Sequence, residues 1–167
     1  SRARLARHPN PFPEEELDNF NQTGSAFGVH PDHKKIPGIE ASTGSLGHGL
    51  GLGLGMAMAK KLDKRSERVV VMSSDGELCE GSTWEALLAA THYETGNLLA
   101  IFDYNKMSQD GPISEIMEVA PVRKKLEAFG WKVLEINGHN MSQILAALAK
   151  IPSSKSKQPT AIVMHTI

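Results

Sequence analysis

The chain has 167 residues, of which 40% are apolar and 22% charged, and its net charge is −1. That length lets one domain bury roughly 70% of its unfolded surface, and the near-neutral charge gives no electrostatic reason to expect nucleic acid or a membrane surface as partner. A single cysteine, Cys79, excludes an internal disulfide, and with no basic-then-apolar leader in view a cytoplasmic location is expected.

Residues 1–12 are basic and then proline-rich, and are expected to form a mobile N-terminal segment. Pro13-Glu14-Glu15-Glu16-Leu17 reads as a helix start, with proline early and acids in the first turn. Residues 25–43 have turn signals, two histidines (His30 and His33) and no period. They are expected to form a long ordered loop, a feature that is often functional. Gly49 to Ala59 alternates with period two, which formally suggests a strand, but glycine throughout a strand interior weakens it. As a helix, Gly47, Gly51, Gly55 and Ala59 share one stripe, and Gly49, Gly53 and Ala57 share another. The expectation is a helix within 44–62, buried on several sides. Its N-terminus near Thr43–Leu46 would offer free N–H groups to an anion.

Val69–Met72 is an apolar run that stops at Ser73-Ser74-Asp75-Gly76. Leu98–Phe102 is a second, stopping at Asp103-Tyr104-Asn105. Between them, Ser82-Thr83-Trp84-Glu85 matches a capping box, so a helix should begin there and end near Gly96. Two parallel strands joined by a helix would place Asp75 and Asn105 at one sheet edge, where open α/β sheets bind ligands. A carboxylate, an amide oxygen and a nearby carbonyl suit a hard cation that is also held by phosphates. Beyond Gly111 the pattern predicts a loop, a helix over 122–129 closed by Gly130, a strand over 131–136, a helix over 141–150 and a strand over 160–165. The alternation predicts an α/β fold, a mainly parallel sheet flanked by helices, as a single domain over 1–167. No P-loop is present, and no register of Gly47 to Gly55 fits the dinucleotide fingerprint.

Asp75-Gly76 followed 30 positions later by Asn105 resembles the thiamine diphosphate motif, Gly-Asp-Gly with a distant Asn. Three further segments stand in the order seen in transketolases: His30-Pro31-Asp32, Ser42-Thr43-Gly44-Ser45-Leu46-Gly47-His48-Gly49 and Gly130-Trp131. So does Asp75-Gly76-Glu77-Leu78-Cys79-Glu80-Gly81. The chain from Pro13 to Ile167 resembles the N-terminal, diphosphate-binding section of that family, most closely the small subunit of a split two-gene bacterial form. Serine replaces the motif's first glycine at Ser74, and Ser45 stands where the family has proline. The family also extends beyond both ends of this sequence, so a chain truncated at both ends is expected.

The resemblance implies roles for named residues. Asp75, Asn105 and the Met107 carbonyl would ligate Mg²⁺ or Ca²⁺. Gly44, Leu46, His48, Gly76, Glu77 and Asn105 would bind thiamine diphosphate. His30 would contact the donor sugar, and Glu80 would join a carboxylate network at an interface between active sites. The implied reaction is transfer of a two-carbon ketol unit from a ketose or its phosphate to an aldose. The implied partner is a C-terminal, pyrimidine-binding subunit, in an α2β2 heterotetramer. The alternatives are a related ketol transferase of specialised metabolism, a non-catalytic cofactor-binding subunit, and an unrelated Mg²⁺-dependent phosphotransfer domain.

Overall fold

The structure, a computed structural model, describes residues 14–167. The expected N-terminal segment, 1–12, lies outside them. Contacts divide the chain into two compact units, Ser1–Ser45 and Leu46–Ile167. In the first, a 3₁₀ helix spans Glu14–Asn19, at the helix start that the sequence predicts. The loop that follows is built of turns around a small core, in which Phe27 and Ile36 are buried against Leu17, Ala26 and Ile39.

The second unit carries the sheet. Strands β1 (Val69–Ser74), β2 (Leu98–Tyr104), β5 (Lys132–Asn137) and β6 (Thr160–His165) are all parallel, in the order β1-β2-β6-β5. Helix α1 is Gly49–Leu62, α2 is Gly81–His92, α3 is Ile113–Ile116, α4 is Val122–Ala128 and α5 is Met141–Ala149. The short strands β3 (Met107–Ser108) and β4 (Gly111–Pro112) form a separate hairpin that the sequence pattern did not indicate. The core joins Leu50, Leu54 and Ala57 of α1 and Leu87 and Ala90 of α2 to Leu98, Ala100 and Phe102 of β2. Trp131 is buried among them, and its indole N–H donates to the Leu87 carbonyl at 3.0 Å. Two strands with buried neighbours on both faces read as near-continuous apolar runs, which is why β2 and β6 were legible.

Two helix starts differ from expectation. Gly44 and Gly47 have φ of +143° and +75°, outside the helical region, so α1 begins only at Gly49. Helix α2 begins at Gly81 after Glu80, with no side-chain cap. Ser82 Oγ donates instead to the Gly47 carbonyl at 3.1 Å, so the predicted capping box does not form. Helix α1 is also less enclosed than expected. Gly53 faces the sheet so closely that an added Cβ would lie 2.2 Å from Val71 Cγ2. On the other side Gly51, Leu52, Gly55 and Met56 are exposed, because no element of the described chain packs there.

Candidate active site at the C-terminal ends of β1 and β2

Adjacent parallel strands bring the two polar ends together, as the sequence predicted. Ser74 pairs with Asp103 in register, and the Asp75 N–H continues the ladder by donating to the Asp103 carbonyl at 3.1 Å. The Asp75 side chain is fully buried, at 0% exposure. One of its oxygens accepts from the Gly76 N–H at 2.9 Å, the other from the Lys106 N–H at 2.7 Å. Lys106 has a left-handed φ of +61°, which turns the chain so that its N–H meets Asp75. Burial pushes the Asp75 carboxyl above its ordinary range and the neighbouring Asp103 adds to this, while the backbone N–H groups oppose it. No lysine or arginine among the described residues pairs with Asp75 or Asp103.

A second network orients Asn105. Its Nδ2 donates to Asp103 Oδ2 at 3.3 Å, and its Oδ1 accepts the Met107 N–H at 2.8 Å. Asp103 Oδ1 accepts from the Thr166 hydroxyl. Asp103 therefore fixes which end of the amide points away from it, and Oδ1, which already accepts the Met107 N–H, has one lone pair left for a further partner. Met107, on the hairpin, is half exposed. Among the described residues no three His, Cys, Asp or Glu side chains cluster to hold a metal unaided. The residues that could hold a cation here are one carboxylate, Asp75, and one amide, Asn105, with the Met107 carbonyl two residues further along the chain. That set fits Mg²⁺ or Ca²⁺ completed by ligand phosphates, and a buried anion without a counter-ion is the environment such a cation relieves.

Beside Asp75, residues 76–79 form a 3₁₀ turn. Glu77, expected to reach the cofactor, directs both oxygens to its own chain. Oε1 accepts the Gly47 N–H at 3.1 Å, and Oε2 accepts the Ser74 N–H at 3.2 Å and the Ser73 hydroxyl at 2.5 Å. Leu46 and His48 flank Gly47 and are exposed, with His48 Nδ1 3.0 Å from the Leu46 carbonyl oxygen. Glu80 is half-buried, and its Cβ would be 2.6 Å from a Cβ placed on Gly47. Ser73, Ser82, Asp103 and Thr166 were not among the predicted site residues. Asp103 stands two places before Asn105, the one local signal available, whereas Thr166 lies 63 residues from it.

His30 and Gly44 belong to the N-terminal unit. The exposed His30 ring packs on Gly44, 2.6 Å from where a Cβ would stand. The Thr43 N–H donates to the Pro31 carbonyl at 3.3 Å, and His33 Nδ1 lies 2.8 Å from the Ser42 hydroxyl oxygen, which bonds to Asp32. Asp32 is held below its ordinary range, chiefly by the Lys34 N–H.

An acid and an amide meet at adjacent parallel strand ends, beside a glycine turn, at the edge of an α/β domain. Residues 11–167 match the thiamine diphosphate binding domain of the transketolases. One subunit of the apulose-4-phosphate transketolase of Phocaeicola vulgatus is 41% identical over 152 residues, covering 91% of this chain and 53% of that protein. The 6-deoxy-6-sulfo-D-fructose transketolase subunit SqwG of a Clostridium species is 38% identical, covering 93% of this chain and 56% of that protein. The crystal structure of transketolase from Campylobacter jejuni superposes with a TM-score of 0.83 at 33% identity, over 91% of this chain and 24% of that one. The chain belongs to the transketolase family, and it spans about half the length of the split-subunit relatives it matches.

Proposed function

We propose that this chain is the diphosphate-binding subunit of a split, thiamine-diphosphate-dependent transketolase. It moves a two-carbon ketol unit from a ketose or ketose phosphate to an aldose. The observation that carries the reading is Asp75, a fully buried carboxylate with backbone N–H partners and no cationic side chain paired to it among the described residues. Asp75, Asn105 Oδ1 and the Met107 carbonyl would hold Mg²⁺ or Ca²⁺, and through it the diphosphate. Gly76 leaves the space beside Asp75 free of a side chain. Gly44, Leu46 and His48 would contact the cofactor, and His30 the donor's hydroxyls. Glu80 would face the partner's carboxylate at an interface. When bound, thiamine diphosphate supplies the electron sink for the two-carbon unit. This chain's residues neutralise and anchor its anionic end. A pyrimidine-binding partner subunit completes the site, in an α2β2 heterotetramer in the cytoplasm. The split-form relatives are named for apulose-4-phosphate and 6-deoxy-6-sulfo-D-fructose, which supports a specialised donor.

The test is to co-express the chain with its partner, purify the complex and titrate thiamine diphosphate with Mg²⁺ by calorimetry. Binding that needs the partner and disappears in Asp75→Ala is the expected result. Metal-dependent binding of ATP without binding of thiamine diphosphate would overturn the reading. Ser74 bears on one alternative, a weakened or non-catalytic site, since it puts a hydroxymethyl group where the family motif has glycine. A large gain in affinity on Ser74→Gly would support that alternative.

A further inference from the structure

The glycine turn that opens helix α1 is held at both polar atoms of Gly47. Its N–H donates to Glu77 Oε1 at 3.1 Å, and its carbonyl accepts from Ser82 Oγ at 3.1 Å. Glu77 is in turn anchored at the end of β1, through Ser73 Oγ and the Ser74 N–H. No side chain fits at Gly47: φ is +75°, and a Cβ would lie 2.5 Å from Ser82 Oγ and 2.6 Å from Glu80 Cβ. The segment Leu46–His48 is thus locked to the strand that carries Asp75. Helix α1 lacks a side-chain cap of its own, and this external clamp holds the turn that immediately precedes its first residue.

We propose that Glu77 is a positioning residue for the cofactor: its carboxylate ties the Leu46–His48 turn to the end of β1, beside the metal-binding aspartate, and so sets their separation. This rests on the thiamine diphosphate reading above. The geometry demands a carboxylate rather than a polar side chain of the same shape. Each of its oxygens faces a backbone N–H, and an amide offers only one acceptor. In Glu77→Gln the NH₂ group therefore meets either the Gly47 or the Ser74 N–H, and one of the two ties is lost. A site whose supporting contacts are removed typically loses about 10–100-fold in affinity or activity.

The experiment uses the co-purified complex, wild type and Glu77→Gln, with Ser82→Ala as a second variant that cuts the other tie. Hydrogen–deuterium exchange at the Gly47 amide reads the clamp directly, without cofactor. Calorimetry with thiamine diphosphate and Mg²⁺ reads its consequence, and thermal unfolding without cofactor reports global stability. In Glu77→Gln the expected results are faster exchange confined to the Leu46–Leu50 segment and about tenfold weaker thiamine diphosphate binding, with the unfolding midpoint nearly unchanged. Ser82→Ala should shift exchange and affinity in the same direction. Unchanged exchange at Gly47 overturns the proposal, as does unchanged affinity with faster exchange. Loss of affinity accompanied by a collapse of the unfolding midpoint also overturns it, because the role would then be general folding. If the wild-type complex does not bind thiamine diphosphate at all, the parent reading fails, and the exchange arm still decides whether the clamp exists.

Discussion

Replacing Asp75 with alanine separates what this residue does for the fold from what it does for the ligand. Without metal, two effects oppose each other. The Gly76 and Lys106 N–H groups lose their acceptor, and because both bonds are only partly buried each costs less than the ~1–3 kcal/mol of a fully buried donor left unsatisfied. Against this, a fully buried carboxylate with no paired cation disappears, and the desolvation that held its pKa up is relieved. The metal-free variant should therefore stay folded, with only a modest change in stability. With Mg²⁺ and thiamine diphosphate at about 100 times Kd, the wild-type complex should gain about 2.7 kcal/mol from ligand linkage. For a chain of this size that corresponds to a rise of roughly 5–10 °C in unfolding midpoint. Asp75→Ala should show none of that rise. The assay is thermal unfolding of the co-purified complex, followed by circular dichroism with and without ligands. A ligand-induced rise in Asp75→Ala equal to that of wild type would refute the reasoning.

Glycine replacements in α1 should split by face. Gly51→Ala meets nothing within 4 Å and should stabilise the chain by about 0.5–1 kcal/mol in denaturant titrations. Gly53→Ala drives a Cβ to 2.2 Å from Val71; overpacking of about 1–3 kcal/mol outweighs the helix gain and should make it net destabilising. His30→Ala should raise the KM for the donor sugar about tenfold, the loss of one substrate hydrogen bond, and leave cofactor affinity unchanged. Burial raises the Cys79 pKa, with Glu80 and Asp75 adding to it. Cys79 should therefore stay a thiol at neutral pH and alkylate more slowly than a free cysteine at pH 8. Loss of that difference in iodoacetamide kinetics would contradict the assignment.

The placement of Asp75 and Asn105 at one sheet edge was legible because it follows from a local rule: a right-handed crossover puts two strand ends on one edge. The strands were legible because buried parallel strands are continuous apolar runs. What escaped depends on partners distant in sequence. Ser82 satisfies the capping pattern locally, yet Gly47, 35 residues away, takes its hydroxyl. The same holds for Thr166 and Asp103. The start of α1 was placed too early because two glycines with positive φ, Gly44 and Gly47, occur inside a composition that otherwise favours no boundary. The β3–β4 hairpin is two residues per strand, too short to leave a period.

The order of the strands also dictates a timetable for synthesis. β6 is the last of the four parallel strands to be made, yet it lies between β2 and β5 and pairs with both. As the chain leaves the ribosome, β1 and β2 can pair early, but β5 has no neighbour until Thr160–His165 emerges. The central strip of the sheet stays open until then. Thr166, which steadies Asp103 and through it Asn105, follows directly behind. The two strand ends can meet early, but the hydrogen-bonded support of the Asn105 amide is completed only once Thr166 has been translated.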